Sequence, residues 1–217
     1  MDTDVQRLAK SNLEPLLEDP GFCGEFFAYM ALCDKTQRRR FLFNAYIPKA
    51  DGATTEIDII MLHSSGIFVI ESKYYSGWIA GSYRRDRWSQ VLVDHNCRLH
   101  PVSFRSPLRQ NFAHASALRQ YLCDWSQVPI YPIVAFSDHC HFMRLEVPDC
   151  GAVVHFRALA HTVAELAAKT PQALEEAAAE AIYRKLLPLT GRSQAEKQKH
   201  VNRVKEAWGR ESESVCG

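Results

Sequence analysis

Residues 57–75, IDIIMLHSSGIFVIESKYY, carry two apolar runs joined by His63-Ser64-Ser65-Gly66. Both runs are rich in β-branched residues, and a short polar link between two such runs predicts a β-hairpin. With the turn centred on Ser64-Ser65, His63 faces Gly66, Ile59 faces Ile70, and Asp58 faces Glu71. Strict alternation then places Ile57, Ile59, Met61, Phe68, Ile70 and Ser72 on one face. Asp58, Ile60, Leu62, Ile67, Val69, Glu71 and Lys73 fall on the other. Two largely apolar faces predict a sheet covered by helices on both sides.

The charged groups gather at one end of one face. Directly opposed residues have Cβ atoms about 5 Å apart, where like charges are destabilising, and burial raises a carboxylate's pKa further. Two things offset this: Lys73 on the same face, or a divalent cation that takes an oxygen from each acid. Mg²⁺ (or Mn²⁺) suits the second role, because magnesium is held by one or two carboxylates and keeps several waters. Such a cation makes its water a better nucleophile and balances charge on a phosphodiester. Lys73 would orient or help deprotonate that water and stabilise the anionic transition state. The plain alternative is a cross-strand salt bridge at a strand end, and a one-residue register slip would undo the grouping.

Around the hairpin, GFCGEFFAYMALC (21–33) has helical spacing of Phe22, Phe26, Tyr29, Met30 and Cys33, with Glu25 beside the stripe. FLFNAYIP (41–48) reads as a strand, and GWIAGSY with RWSQVLV as a second small hairpin followed by an irregular stretch to Phe104. Ser106-Pro107 starts a helix with a capping hydroxyl and a ring fixed at helical φ. Leu108, Phe112, Ala115, Leu118 and Leu122 mark its apolar face. IYPIVAFS (130–137) and AVVHF (152–156) read as strands. Thr170-Pro171 is expected to open a further helix that ends at Pro188 and Gly191, and SQAE (193–196) a last basic helix to about Trp208. Residues 1–19 read as a short polar helix or a loose lead-in. The order helix, three strands, inserted hairpin, helix, strand predicts a mixed α/β domain.

The 217 residues carry a formal net charge of +1, but the charge is uneven. Between Ser72 and Cys123 stand eight Lys/Arg and only two acids, Asp86 and Asp94. Such a segment attracts a polyanion even in a near-neutral molecule, although a solvated face has the same composition. Arg84, Arg85 and Arg87 are interleaved with Trp78, Tyr83 and Trp88, a pattern that fits phosphate contacts with base stacking. Equally, the tryptophans pack on the sheet and the arginines are solvated. The Arg38-Arg39-Arg40 run, and Lys197, Lys199, Arg203 and Lys205, carry the same two readings. The apolar runs are too short to span a membrane, and the polar, acidic start has no signal region. Seven irregularly spaced cysteines predict no disulfide framework, a cytoplasmic protein, and thiols acting as small buried hydrophobes. DHCHF (138–142), with Cys150 and His155, lacks zinc spacing and reads as ordinary strand-end residues.

Asp58, then Glu71-Ser72-Lys73 thirteen residues on, with the earlier helical Glu25, resembles the PD-(D/E)XK nuclease superfamily. More narrowly, GFCGEFFAYMAL, TEIDIIMLHSSGIFVIESKYYSGWIAG, SPLRQNFAHASALRQYL and PIYPIVAFSDHC are similar to four ordered segments of the nuclease-related domain called NERD. The resemblance covers residues 21–140, leaving 1–20 as a lead-in and 141–217 as a C-terminal strand and helical extension packed on the same domain. It implies a restriction-endonuclease-like mixed sheet with an αβββαβ core flanked by helices, plus the inserted hairpin and C-terminal helices. It further implies metal-dependent hydrolysis of DNA phosphodiesters. Asp58 and Glu71 would hold the metal, with the backbone carbonyl of Ser72 as a further ligand. Lys73 would be the catalytic lysine, Glu25 would complete the acidic site, and Gln110 would support the water or the phosphate. Ile57 stands where the superfamily name has proline, and Tyr74 where many relatives have asparagine. Arg84, Arg85, Arg87, Arg105 and Arg109 are the expected nucleic-acid contacts. DNA is the expected partner, with RNA and a homodimer left open. The alternative is a nucleic-acid-binding or partner-binding module on a nuclease fold, inactive by itself. His114, one turn after Gln110, is read as a surface or packed histidine within approach of the site.

Overall fold

The structure is a computed structural model that describes residues 20–33 and 39–191. The lead-in (1–19), Arg38 and the basic helix expected from 193 lie outside the described residues. The chain runs α1 (Pro20–Leu32), β1 (Arg40–Pro48), β2 (Thr54–His63), β3 (Gly66–Lys73), β4 (Gly77–Ser82), β5 (Arg87–Val93) and β6 (Leu99–Arg105). It continues α2 (Pro107–Tyr121), β7 (Ile130–Phe136), β8 (Cys140–Glu146), β9 (Ala152–His155), α3 (Phe156–Lys169) and α4 (Glu176–Leu186).

A five-stranded sheet has the order β1-β2-β3-β7-β9, and a four-stranded sheet the order β6-β5-β4-β8. In the larger sheet β1, β2 and β3 are antiparallel neighbours, while β7 and β9 run parallel to β3. The expected αβββαβ order is α1-β1-β2-β3-α2-β7, and the architecture is mixed α/β of the restriction-endonuclease-like kind.

The β2–β3 register is the one read from the sequence, with Ile59 opposite Ile70 and His63 opposite Gly66. Gly66 has φ +140°, and a Cβ there would lie 2.6 Å from the Pro129 carbonyl oxygen, so the turn requires glycine. One side of the sheet packs Ile59, Met61, Phe68 and Ile70 against Ala28 and Leu32 of α1 and Leu159 and Val163 of α3. The other packs Ile60, Leu62, Ile67 and Val69 against Leu118 of α2 and Ile182 of α4.

Strict alternation fails at one point. Ile57, expected with Ile59, packs instead with Ile60, Leu62, Ala45 and Ile47. The β1–β2 ladder pairs Phe43 with Ile59 and Ala45 with Ile57, and skips the rung of Asn44 and Asp58 between them. Asn44 has φ +50°, a left-handed conformation that asparagine tolerates and that breaks the pleat there.

Four other expectations are corrected. The small hairpin is part of a four-stranded sheet: β6 replaces the irregular stretch by pairing with β5 from Arg87↔Arg105 to Val93↔Leu99, and β8 runs parallel to β4. Both strands are mostly exposed, so they lack the apolar alternation that marks a strand. Phe156, read as the end of a strand, begins α3, whose Phe156, Leu159 and Val163 are buried at helical spacing. Thr170-Pro171 opens no helix. There the Thr170 hydroxyl donates to the Ser65 carbonyl (3.0 Å) and the Leu174 N–H to that of Ser64 (2.8 Å), tying the segment to the hairpin turn until α4 starts at Glu176. Among the described cysteines only Cys23 and Cys140 are buried.

Trp88 and Arg40 are engaged within the fold, while Trp78 stays exposed. Trp88 is 2% exposed, lies parallel to Phe136 at 6.3 Å, and donates its indole N–H to the Ser82 carbonyl (3.1 Å). Arg40 pairs with Glu176 and with Glu180 (2.5 Å), linking β1 to α4. His155 stacks on Phe142 at 4.0 Å.

Candidate active site

Asp58, Glu71 and Lys73 meet where the β2–β3 ladder opens beyond Ile59↔Ile70. Past that rung the Ser72 N–H turns to a side chain, donating to Asp58 Oδ2 at 2.9 Å, with the Ser72 hydroxyl at 3.3 Å from the same oxygen. Glu71 is 1% exposed. Its Oε1 pairs with Lys73 Nζ, and its Oε2 lies 3.2 Å from Nε2 of His114. That last contact is off hydrogen-bonding geometry, so both atoms are buried without a hydrogen-bond partner. His114 Nδ1 is 2.7 Å from the Thr55 hydroxyl.

The three charged groups set one another's protonation. Burial raises the Asp58 carboxyl to about 7, reinforced by the Glu71 charge and resisted by Lys73. Burial works against Glu71 as well, yet the Lys73 ammonium and the His114 contact hold it below the usual carboxylate range. Burial would lower Lys73, but Glu71 and Asp58 outweigh it and raise the amine, which keeps its proton. Within the Glu71–Lys73 pair opposite charge wins over desolvation, whereas at Asp58 burial wins.

Glu25 approaches from α1. A Cβ at Gly24 would lie 3.0 Å from the Ser72 hydroxyl oxygen, so this glycine lets the helix rest on the end of β3. The next residue, Glu25, accepts from Asn44 Nδ2 at 2.8 Å, and Asn44 stands at the skipped rung with Asp58. Gln110 lies half-buried one turn before His114 on α2, a spacing that puts both on one helix face. Its side chain is not among the hydrogen bonds that join the acids, the lysine and Ser72.

The five expected arginines collect at one corner. The β4–β5 turn abuts the start of α2, where the Ser106 N–H donates to the Asp86 carbonyl (2.7 Å) and the Ser106 hydroxyl caps the helix at Arg109 N (3.3 Å). Arg84 and Arg85 are exposed on that turn, and Arg84 Nε donates to the Tyr83 hydroxyl (3.0 Å). Arg87 donates to the Ser103 hydroxyl (2.8 Å) and carbonyl (2.7 Å), and stands opposite exposed Arg105. Arg109 pairs with Asp86 at 3.0 Å. Arg109 precedes His114 by about 7.5 Å along the helix axis.

The donors suit a hard cation. Glu71 presents a buried oxygen with no hydrogen-bond partner, and Asp58, beside it, keeps some contact with solvent. Two carboxylates are the complement that magnesium takes from a protein. Among the described residues no group of three or more His, Cys, Asp or Glu gathers as a metal cage, so a cation here would complete its shell with water and backbone oxygen.

Thr55 and Asn44 carry no site signal in the sequence, and His114 shows there only as a surface or packed histidine. A polar position on the buried face of α2 was the available signal for His114. Asn111 and His114 both fall among the buried residues of that helix, where apolar side chains are expected.

The family described as "Nuclease-related domain" (NERD) matches residues 20–137, more than half of the chain. The chain is 35% identical over 106 residues to the uncharacterized protein pXO1-01 of Bacillus anthracis, covering 49% of this chain and 47% of that protein. It thus spans about half the length of that curated relative. No solved structure matches. Among the described residues no helix is long and apolar enough to cross a membrane. The order of the elements, the acids meeting at the open end of β3 and the family match agree: the chain belongs to the nuclease-related domain (NERD) family.

Proposed function

We propose that the protein is a metal-dependent nuclease that hydrolyses phosphodiesters of DNA. The observation that carries this reading is the buried, hydrogen-bond-free oxygen of Glu71 beside Asp58, with the Lys73 ammonium on the same carboxylate. Asp58 and Glu71 would hold Mg²⁺ or Mn²⁺, with the Ser72 carbonyl as a further oxygen. Such a cation, when bound, supplies a more acidic water and a counter-charge for the phosphate.

The chain's own groups do the rest. Lys73, kept protonated by Glu71 and Asp58, is suited to stabilising the pentavalent anion and orienting the attacking water, and unsuited to taking its proton. Glu25, steadied by Asn44, completes the acidic rim from α1, and Gln110 supports the water or the phosphate from α2. The strand's phosphates run toward the corner of Arg84, Arg85, Arg87, Arg105 and Arg109, where contacts position the duplex or single strand without reading its sequence.

Incubating the protein with single-stranded, double-stranded and branched DNA, and with RNA, under Mg²⁺, Mn²⁺ or EDTA tests this. Cation-dependent cleavage that disappears in Glu71→Gln is the expected result. Binding without cleavage in every arm makes the protein a nucleic-acid-binding module on a nuclease fold instead.

A further inference from the structure

Glu71 is gripped at two points by groups from two elements, β3 and α2. Lys73, two residues on in β3, holds Oε1. The His114 imidazole, from α2, lies 3.2 Å from Oε2. That ring is fixed in turn, with Nδ1 2.7 Å from the hydroxyl of Thr55 at the start of β2. His114 is 6% exposed and Glu71 1%, so water does not substitute for either contact.

A glutamate has three side-chain torsions, the last of them soft. A single ion pair through Oε1 leaves the carboxylate free to swing about that contact. A second polar contact at Oε2 removes this freedom. The imidazole nitrogen 3.2 Å from Oε2 is a polar contact of this kind, short of hydrogen-bond alignment, so it holds Oε2 in place through charge and dipole.

We infer that Thr55 and His114 form a positioning pair that fixes the Glu71 carboxylate for cation binding. The inference rests on the reading of Glu71 as a cation ligand. Thr55 acts only through the imidazole, and neither residue touches the reacting atoms. Partners of this kind, one shell out from a ligand, typically change cation affinity about 10–100-fold.

Calorimetric titration of Mn²⁺ into the full chain, without nucleic acid, measures this directly. Thr55→Val and His114→Phe should each weaken binding about tenfold or more, and the double variant should be no weaker than His114→Phe alone. Thr55→Ser and His114→Gln, which keep the hydroxyl and a nitrogen near the Nε2 position, should recover most of the loss. Thr55→Val is nearly isosteric at a half-buried site, so it carries the test where His114→Phe fails to fold. Wild-type affinity in Thr55→Val, or losses that add across the two positions, overturns the pairing alone. Wild-type protein that takes up no Mn²⁺ overturns the cation reading of Glu71, and the pairing with it.

Discussion

Asp58 Oδ2 accepts the backbone N–H of Ser72 at 2.9 Å, across the end of the β2–β3 ladder. A main-chain donor that would otherwise continue the sheet is turned to a carboxylate. That bond, with the Ser72 hydroxyl on the same oxygen, joins the first acid to the Glu71-Ser72-Lys73 segment and leaves the Glu71 and Lys73 side chains to pair with each other.

The Glu71–Lys73 pair couples stability to activity. Lys73→Met leaves a buried carboxylate without its counter-charge and should cost about 3 kcal/mol. The double variant with Glu71→Gln should recover more than half of that loss, because no buried charge remains. Urea denaturation at about pH 7.5 reads both effects, and additive losses would refute the coupling. Cleavage should fall at least about a hundredfold in either variant, a drop of about 3 kcal/mol or more in transition-state stabilisation.

Asp58 makes metal-free stability depend on pH. Its folded value of about 7 lies above the ordinary 3.8, so between these the native state binds more protons than the unfolded chain. Stability from this group therefore falls as pH rises from about 4 to about 7. Asp58→Asn should gain about 1–3 kcal/mol at pH 8 and progressively less toward pH 4. Thermal melts in EDTA across that range measure the difference, which should not be flat.

Asn111 holds β3 to β7 where the ladder is weakest. Pro132 stands opposite Val69 and has no N–H to give. The fully buried Asn111 amide instead donates to the Val69 carbonyl (3.0 Å) and the Ile133 carbonyl (2.8 Å). Asn111→Leu leaves both carbonyls without that donor and should cost about 2–3 kcal/mol in chemical denaturation. A loss below about 0.5 kcal/mol, the ordinary range for inconsequential sites, would contradict this role.

The arginines at the α2 corner should differ in how they contribute to DNA binding. Arg84→Ala with Arg85→Ala should reduce the slope of log K against log salt by about 2, one for each phosphate no longer neutralised. Arg87→Ala should give a smaller change, because that guanidinium is already held by Ser103. Fluorescence anisotropy at several salt concentrations distinguishes these, and an unchanged slope in the double variant removes Arg84 and Arg85 from the interface.

The central hairpin, its register, the helices α1 and α2 and the capping Ser106 are all legible in the amino-acid order, because each is specified by local patterning. Alternation, turn residues and helix-start chemistry act over a few residues, and so did the spacing that brought Asp58 to Glu71 and Lys73. What surrounds them comes from packing between elements. His114 reaches Thr55 and Glu71 from a helix far along the chain, and Asn44 reaches Glu25 from a neighbouring strand, and no local signal predicts either contact. The switch of face at Asp58 depends on the left-handed backbone of Asn44 in the neighbouring strand. Strands β6 and β8 exist because β5 and β4 offer edges to pair with, and backbone pairing of exposed strands leaves no apolar pattern to read.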